Sequence, residues 1–230
     1  MALFIVGSYK ASPYDPDSAF DPDTHVATEA AFIQLLEHGV YDSKYIGYKV
    51  QLGNSVDYNN GLWVIADVNH DSANTGQTDC YDLISEKVFG ERTYSSGSTW
   101  WQNSTIRTYL NSTFYDGFGT DIKTHILSMK YKAGGSWLND NIIIPSCIEV
   151  NITLGIATVE GTQYPIFTDN NSRIKSIFNS TAINNEWWTR TQNYESDYGN
   201  NMIKTVYRDG SQQSRYYYNS FYLAPLMRVH

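Results

Sequence analysis

The 230-residue chain carries 24 Asp and Glu against 16 Lys and Arg, a net charge of −8, so it lacks the basic footprint that nucleic-acid binding needs. No apolar run approaches the roughly 20 residues of a membrane helix, and no membrane partner is expected. Charged residues make up only 17% while aromatics reach 15%, with 19 Tyr and 6 Trp, which suits a β-rich, loop-rich domain working by surface contact better than a helical enzyme.

Residues 1–23 read as an extended arm. After the apolar start Met1–Gly7, prolines at 13, 16 and 22 fix φ and restrict the residues before them, and Asp-Pro-Asp occurs twice. The start has neither the basic flank nor the length of a signal core. The expectation is synthesis in a cytoplasm, with any surface role coming from assembly into a larger particle or from lysis. Residues 24–38 pattern as a helix, capped by Asp23 or Thr24, striped by Ala27, Ala30, Ala31, Leu35 and Leu36, and ended by Gly39. Two strand-like runs follow, Tyr45–Leu52 and Leu62–Val68, joined by the Asn- and Gly-rich segment 53–61. Residues 69–79 are polar loop, and periodicity leaves Tyr81–Val88 open between strand and short helix.

Residues 102–118 pattern as two short helical pieces, with Ser104 or Thr105 at the start and Ile106 and Leu110 inward. Ile122–Tyr131 begins as helix and finishes as strand. Ile142–Ile144 is a short buried strand stopped by Pro145. The last stretch reads as strands at Glu186–Thr191, Met202–Tyr207, Ser214–Tyr218 and Tyr222–Val229, with a turn at Asp209-Gly210.

Several of these segments form an ordered set: Trp101, Ser104-Thr105-Ile106-Arg107 to Asn111, Trp187-Trp188-Thr189-Arg190, and Ala224-Pro225-Leu226-Met227-Arg228. The set resembles a family of bacterial and phage domains of unassigned function, over roughly residues 45–229. That family is similar to the C-type-lectin-like fold, together with formylglycine-generating enzymes and variable receptor-binding proteins of phages. The resemblance implies an α+β, C-type-lectin-like domain over 45–230, with short helices around twisted antiparallel sheets, and residues 1–44 as an arm and helix for anchoring and oligomerisation. It implies a phage virion protein, such as a head or tail fibre or decoration protein. Its partners are then other virion proteins, held through the arm, and a glycan or protein on the host surface, and it is expected to act as a homo-oligomer. The sequence departs from the family pattern at Ala224, where Arg often stands before Pro.

The candidate ligand-binding residues are Arg215, Tyr216, Tyr217, Tyr218, Asn219 and Tyr222, with Trp100 and Trp137 beside Gly/Ser turns. Tyr gives large, stiff, amphipathic contact at low entropy cost, and three consecutive Tyr on a strand cannot all face inward. Trp63, Trp101, Trp187 and Trp188 read as core, and Arg107, Arg173, Arg190 and Arg228 as structural donors to loop carbonyls. Asp67-x-Asn69-x-Asp71 imitates half a calcium loop, but Ser72 and Thr78 stand where Gly and Glu belong. No metal, cofactor or catalytic set is expected. The cysteines, Cys80 and Cys147, need not pair, and they lie outside the C-terminal region where the oxidising relatives hold theirs. His70 reads as a solvated loop residue. So do the carboxylates Glu149, Glu160, Asp169, Glu186, Glu195 and Asp197. A glycan-modifying enzyme, or a structural virion component without a ligand, are the alternatives.

Overall fold

Apolar runs of four or five residues, broken by Gly, Asn and Pro, can only make short elements, and the computed structural model is an α+β arrangement of them. It describes residues 14–153, 160–182, 185–193 and 201–230. In chain order the strands are β1 (Val26–Thr28), β2 (Lys49–Leu52), β3 (Gly61–Val68), β4 (Tyr81–Ser85), β5 (Phe89–Thr93), β6 (Ile126–Leu127), β7 (Met129–Ala133), β8 (Ser136–Asp140), β9 (Ile142–Ile143), β10 (Trp187–Gln192), β11 (Met202–Val206), β12 (Gln212–Tyr216), β13 (Ser220–Leu223) and β14 (Leu226–Val229). The α-helices are α1 (Glu29–Glu37), α2 (Ser72–Thr75), α3 (Thr105–Tyr109) and α4 (Thr120–His125).

The helix read from residue 24 begins five residues later. Val26–Thr28 is a strand paired parallel to β2, and Thr28 is the cap, its hydroxyl accepting the Ala31 amide at 3.3 Å. The apolar face of α1 is Phe32, Leu35 and Leu36, and Ala30 lies outside it, exposed. Gly39 takes φ +66° and donates to Leu36 at 2.8 Å while Val40 donates to Leu35 at 3.2 Å, the paired bonds that close a helix through a left-handed residue. Ser104 caps α3 by accepting the Arg107 amide at 3.1 Å, and the chain runs on into a π-helical turn at Leu110–Phe114.

The larger sheet has the order β1-β2-β3-β4-β14-β6, with β9 also on β14; the second has the order β12-β11-β10-β13-β5; β7 and β8 form a separate hairpin. The run 222–229, read as one strand, is two. Pro225 has no N–H for a ladder, so the chain leaves one sheet after Leu223 and joins the other at Leu226, while the Pro225 carbonyl accepts the Ser85 amide at 2.9 Å. One buried cluster fills the space between, with Trp63, Trp101, Trp187 and Trp188 all no more than 2% exposed. Phe32, Leu35 and Leu36 belong to that same cluster, so the core passes through the expected boundary at 44/45. Residues 1–13 of the expected arm lie outside the described residues.

Candidate functional site

The motifs that stand out in the sequence are the rivets of the interior. In the Arg107–Asn111 motif, Arg107 Nε donates to Asp140 at 2.8 Å. Asn111 donates to the Ile142 carbonyl at 2.8 Å and accepts the amides of Asn141 and Ile142 at 2.9 and 3.1 Å. Helix α3 is thereby fastened to residues 140–142. In the Trp-Trp-Thr-Arg strand, which is buried on both faces, Trp188 Nε1 donates to the Arg92 carbonyl at 2.9 Å. Arg190 uses all five donors of its guanidinium: on the carbonyls of Lys132 (3.0 Å), Ile144 (3.0 Å) and Glu160 (3.2 Å), and on both Glu149 oxygens (2.6 and 2.5 Å). Arg228 grips Asp82 at 2.6 and 2.8 Å and the His70 carbonyl at 2.9 Å.

These contacts correct several expectations. Glu149, Glu160 and Glu186 are not solvated loop acids but are all at most 3% exposed. Glu160 accepts the Gly134 amide at 2.7 Å and the Thr191 hydroxyl at 2.6 Å, and burial raises its pKa. Asp169 is exposed; Glu195 and Asp197 lie outside the described residues. His70 is buried rather than solvated, its ring stacked on Tyr164 at 3.7 Å and its Nδ1 2.7 Å from Asp67. Burial opposes its charged form, but the Asp67 bond and the charges of Asp82 and Glu149 outweigh that and raise its pKa. The calcium-like loop is a set of side-chain bonds: Asp67 holds His70, Asn69 accepts the Cys80 amide at 3.1 Å, and Asp71 accepts from Asn74 at 2.6 Å. Both cysteines are free and buried, and burial pushes the thiols up, Cys80 to about 11 and Cys147 to about 12. Among the described residues no group of three or more His, Cys, Asp or Glu is placed to hold a metal ion.

The C-terminal candidates fall at the end of β12, which stops at Tyr216, and in the turn that follows it. Arg215 is half-buried and pairs with buried Glu186 at 2.7 and 3.0 Å. Tyr217 packs on the core. Tyr216 and Tyr218 stack on each other with ring centroids 5.1 Å apart and planes 6° from parallel, and Tyr218 is 57% exposed. Asn219 closes the turn, its amide donating to Tyr216 at 2.9 Å. Trp100 is exposed, and its loop reaches the same turn through the Ser95 amide, which donates to the Tyr217 carbonyl at 3.2 Å. Trp137 is exposed too, but on the β7–β8 hairpin, with the ammonium groups of Lys130 and Lys132 at 4.9 and 5.1 Å from its ring.

Beside the tyrosine turn lies a polar groove of about 450 Å³, walled by β5, α3 and Ser220. Arg92 lines it, with the guanidinium 3.5 Å above the Tyr109 ring and Nη2 2.8 Å from Asp57. Tyr109 also donates to Asp57. Arg92 Nε is buried with no acceptor. Tyr222 is half-buried and packs on the core, and burial and the Glu91 charge raise its phenol pKa. The Asp57–Arg92–Tyr109 group was illegible in sequence, because Asp57 stands 35 residues from Arg92 and 52 from Tyr109.

The architecture is thus that of an α+β domain with a charge-riveted interior and an aromatic, polar rim. Residues 81–230 match the family described as "Domain of unknown function (DUF6273)", and the chain belongs to that family. No curated protein and no solved structure matches the chain.

Proposed function

We propose that this protein is a recognition module on a C-type-lectin-like scaffold, displayed on a phage virion as a fibre or decoration protein and binding a host-surface glycan or protein. The observation that carries the reading is the exposed Tyr218 ring stacked on half-buried Tyr216, in the turn that leads to Ser220 of the Arg92 groove. Such rings offer a rigid amphipathic platform, and the groove adds hydroxyls and a guanidinium for polar contacts. The engagement of Glu149, Glu160 and Glu186 in buried bonds supports binding over hydrolysis, which needs two carboxylates open to a substrate. Display on a virion and homo-oligomeric assembly rest on the family resemblance of the Arg107–Asn111 and Trp187–Arg190 motifs. Among the described residues no helix is long and apolar enough to cross a membrane.

The test is binding of the fluorescently labelled chain to intact candidate host cells, beside a Tyr216→Ala/Tyr218→Ala variant with its fold checked by circular dichroism. Wild-type binding lost in the folded variant supports the reading. Equal binding by both overturns the site, and binding by neither overturns the adhesive role.

A further inference from the structure

A second cavity, about 300 Å³, lies in the segment that precedes the family match. Three pieces build it: the turn at Pro16–Ala19, the bend at 21–25 before β1, and residues 44–48. Its wall is aromatic. Phe20 stacks on Tyr45 at 4.8 Å and meets Tyr48 edge-on at 5.1 Å, and the His25 ring lies flat on Tyr48 at 4.3 Å with planes 2° apart.

His25 reaches that position from a left-handed backbone, φ +54°, which costs a non-glycine residue about 1 kcal/mol or more. It is held there at both ends: its amide donates to Asp21 at 2.8 Å and its carbonyl accepts the Lys49 amide at 2.9 Å. The ring itself is exposed, so burial of this side chain does not explain the strain; one face rests on Tyr48 and the other is left for a ligand. The rim is polar. Asp17 accepts the Tyr45 hydroxyl at 2.6 Å, and Lys44 Nζ sits 2.7 Å from the same carboxylate, with both side chains about half or more exposed (66% for Asp17, 48% for Lys44).

We propose that this cavity is a binding site for a neutral saccharide. An acceptor carboxylate beside a donor ammonium is the complement of a vicinal diol, each hydroxyl of which can accept and donate. The exposed His25 ring, backed by Tyr48, offers a flat face to the C–H side of a pyranose, and the volume is at the lower end of small-molecule pockets. Asp17 and Asp21 together oppose an anionic sugar, and Lys44 opposes an amine. The cavity shares no residue with the tyrosine turn or the Arg92 groove, so it stands apart from the adhesive reading.

The test is saturation-transfer difference NMR on the full chain with the methyl glycosides of glucose, galactose, mannose and N-acetylglucosamine. At least one is expected to receive saturation at its ring protons. His25→Gly removes the stacking ring while suiting the left-handed backbone, so the fold is kept and affinity falls about tenfold. Asp17→Asn, which keeps the shape and removes the charged acceptor, is expected to lower affinity as well. Saturation of none of the four glycosides overturns the proposal. So does binding undiminished in both variants, or binding lost in Tyr216→Ala/Tyr218→Ala and retained in His25→Gly. Cell adhesion that depends on the tyrosines, without glycoside binding, leaves the adhesive reading standing and sinks this one alone.

Discussion

Around Arg190 the charges are buried and every donor is met; around Tyr218 an aromatic ring is more than half in solvent. The two regions are linked: Glu186, just before the Arg190 strand, anchors Arg215, and Arg215 holds the strand from which the tyrosines project. The interior spends desolvation energy on specificity of position. A buried pair adds little net stability over an apolar one, but it fixes which carbonyls lie where. The rim does the reverse, giving up burial of aromatic area to keep a stiff surface available for contact. Interior variants should therefore move stability, and rim variants should move binding.

The largest expected effect is at Arg190→Met, which strands Glu149 and three carbonyls; loss of about 3–5 kcal/mol is expected in urea unfolding. A loss below about 1 kcal/mol would erase the contrast between interior and rim. Next is Gly210→Ala. Gly210 has φ +77°, and an added Cβ would lie 1.7 Å from the Asn170 carbonyl oxygen. A cost of about 1–3 kcal/mol or more is expected by thermal unfolding, because backbone cannot yield as a flexible side chain does. Lys175 sharpens the comparison through pH. It is buried, it donates to the Ser85 carbonyl at 2.5 Å, and burial lowers its pKa from 10.5 to about 8. Below about 8 both states hold the proton; between about 8 and 10.5 only the unfolded chain holds it, so this group makes stability rise with pH across that window. The wild-type minus Lys175→Met stability difference, measured from pH 7 to 10.5, should climb; a flat difference means the amine is not desolvated in solution. The smallest effect is Tyr218→Ala, with stability unchanged within about 0.5 kcal/mol while cell binding is lost. A large stability change there would make the tyrosine turn part of the interior.

The features legible in the sequence are local. Ser104 capping α3, the stop at Gly39, and the exposed Trp100 and Trp137 against the four core tryptophans follow from neighbours within one turn or one strand. The features illegible in it are non-local. Val26–Thr28 looked helical until β2, more than twenty residues on, offered it a ladder. The pairing of Arg215 with Glu186 is illegible because Glu186, 29 residues away, has no pattern that marks it as buried. His70 looked solvated because the ring it stacks on is Tyr164.

The sequence by itself determined the α+β class, most element positions, the division of the tryptophans and the need for some tyrosine of 216–218 to face out, since these rest on periodicity, capping and alternation. Only the tertiary structure decided which carboxylates are interior, which tyrosines face out, and that an Arg92 groove and a His25 cavity exist. Those depend on groups brought together across tens of residues, and the energy of a buried charge is set by partners the local sequence does not contain.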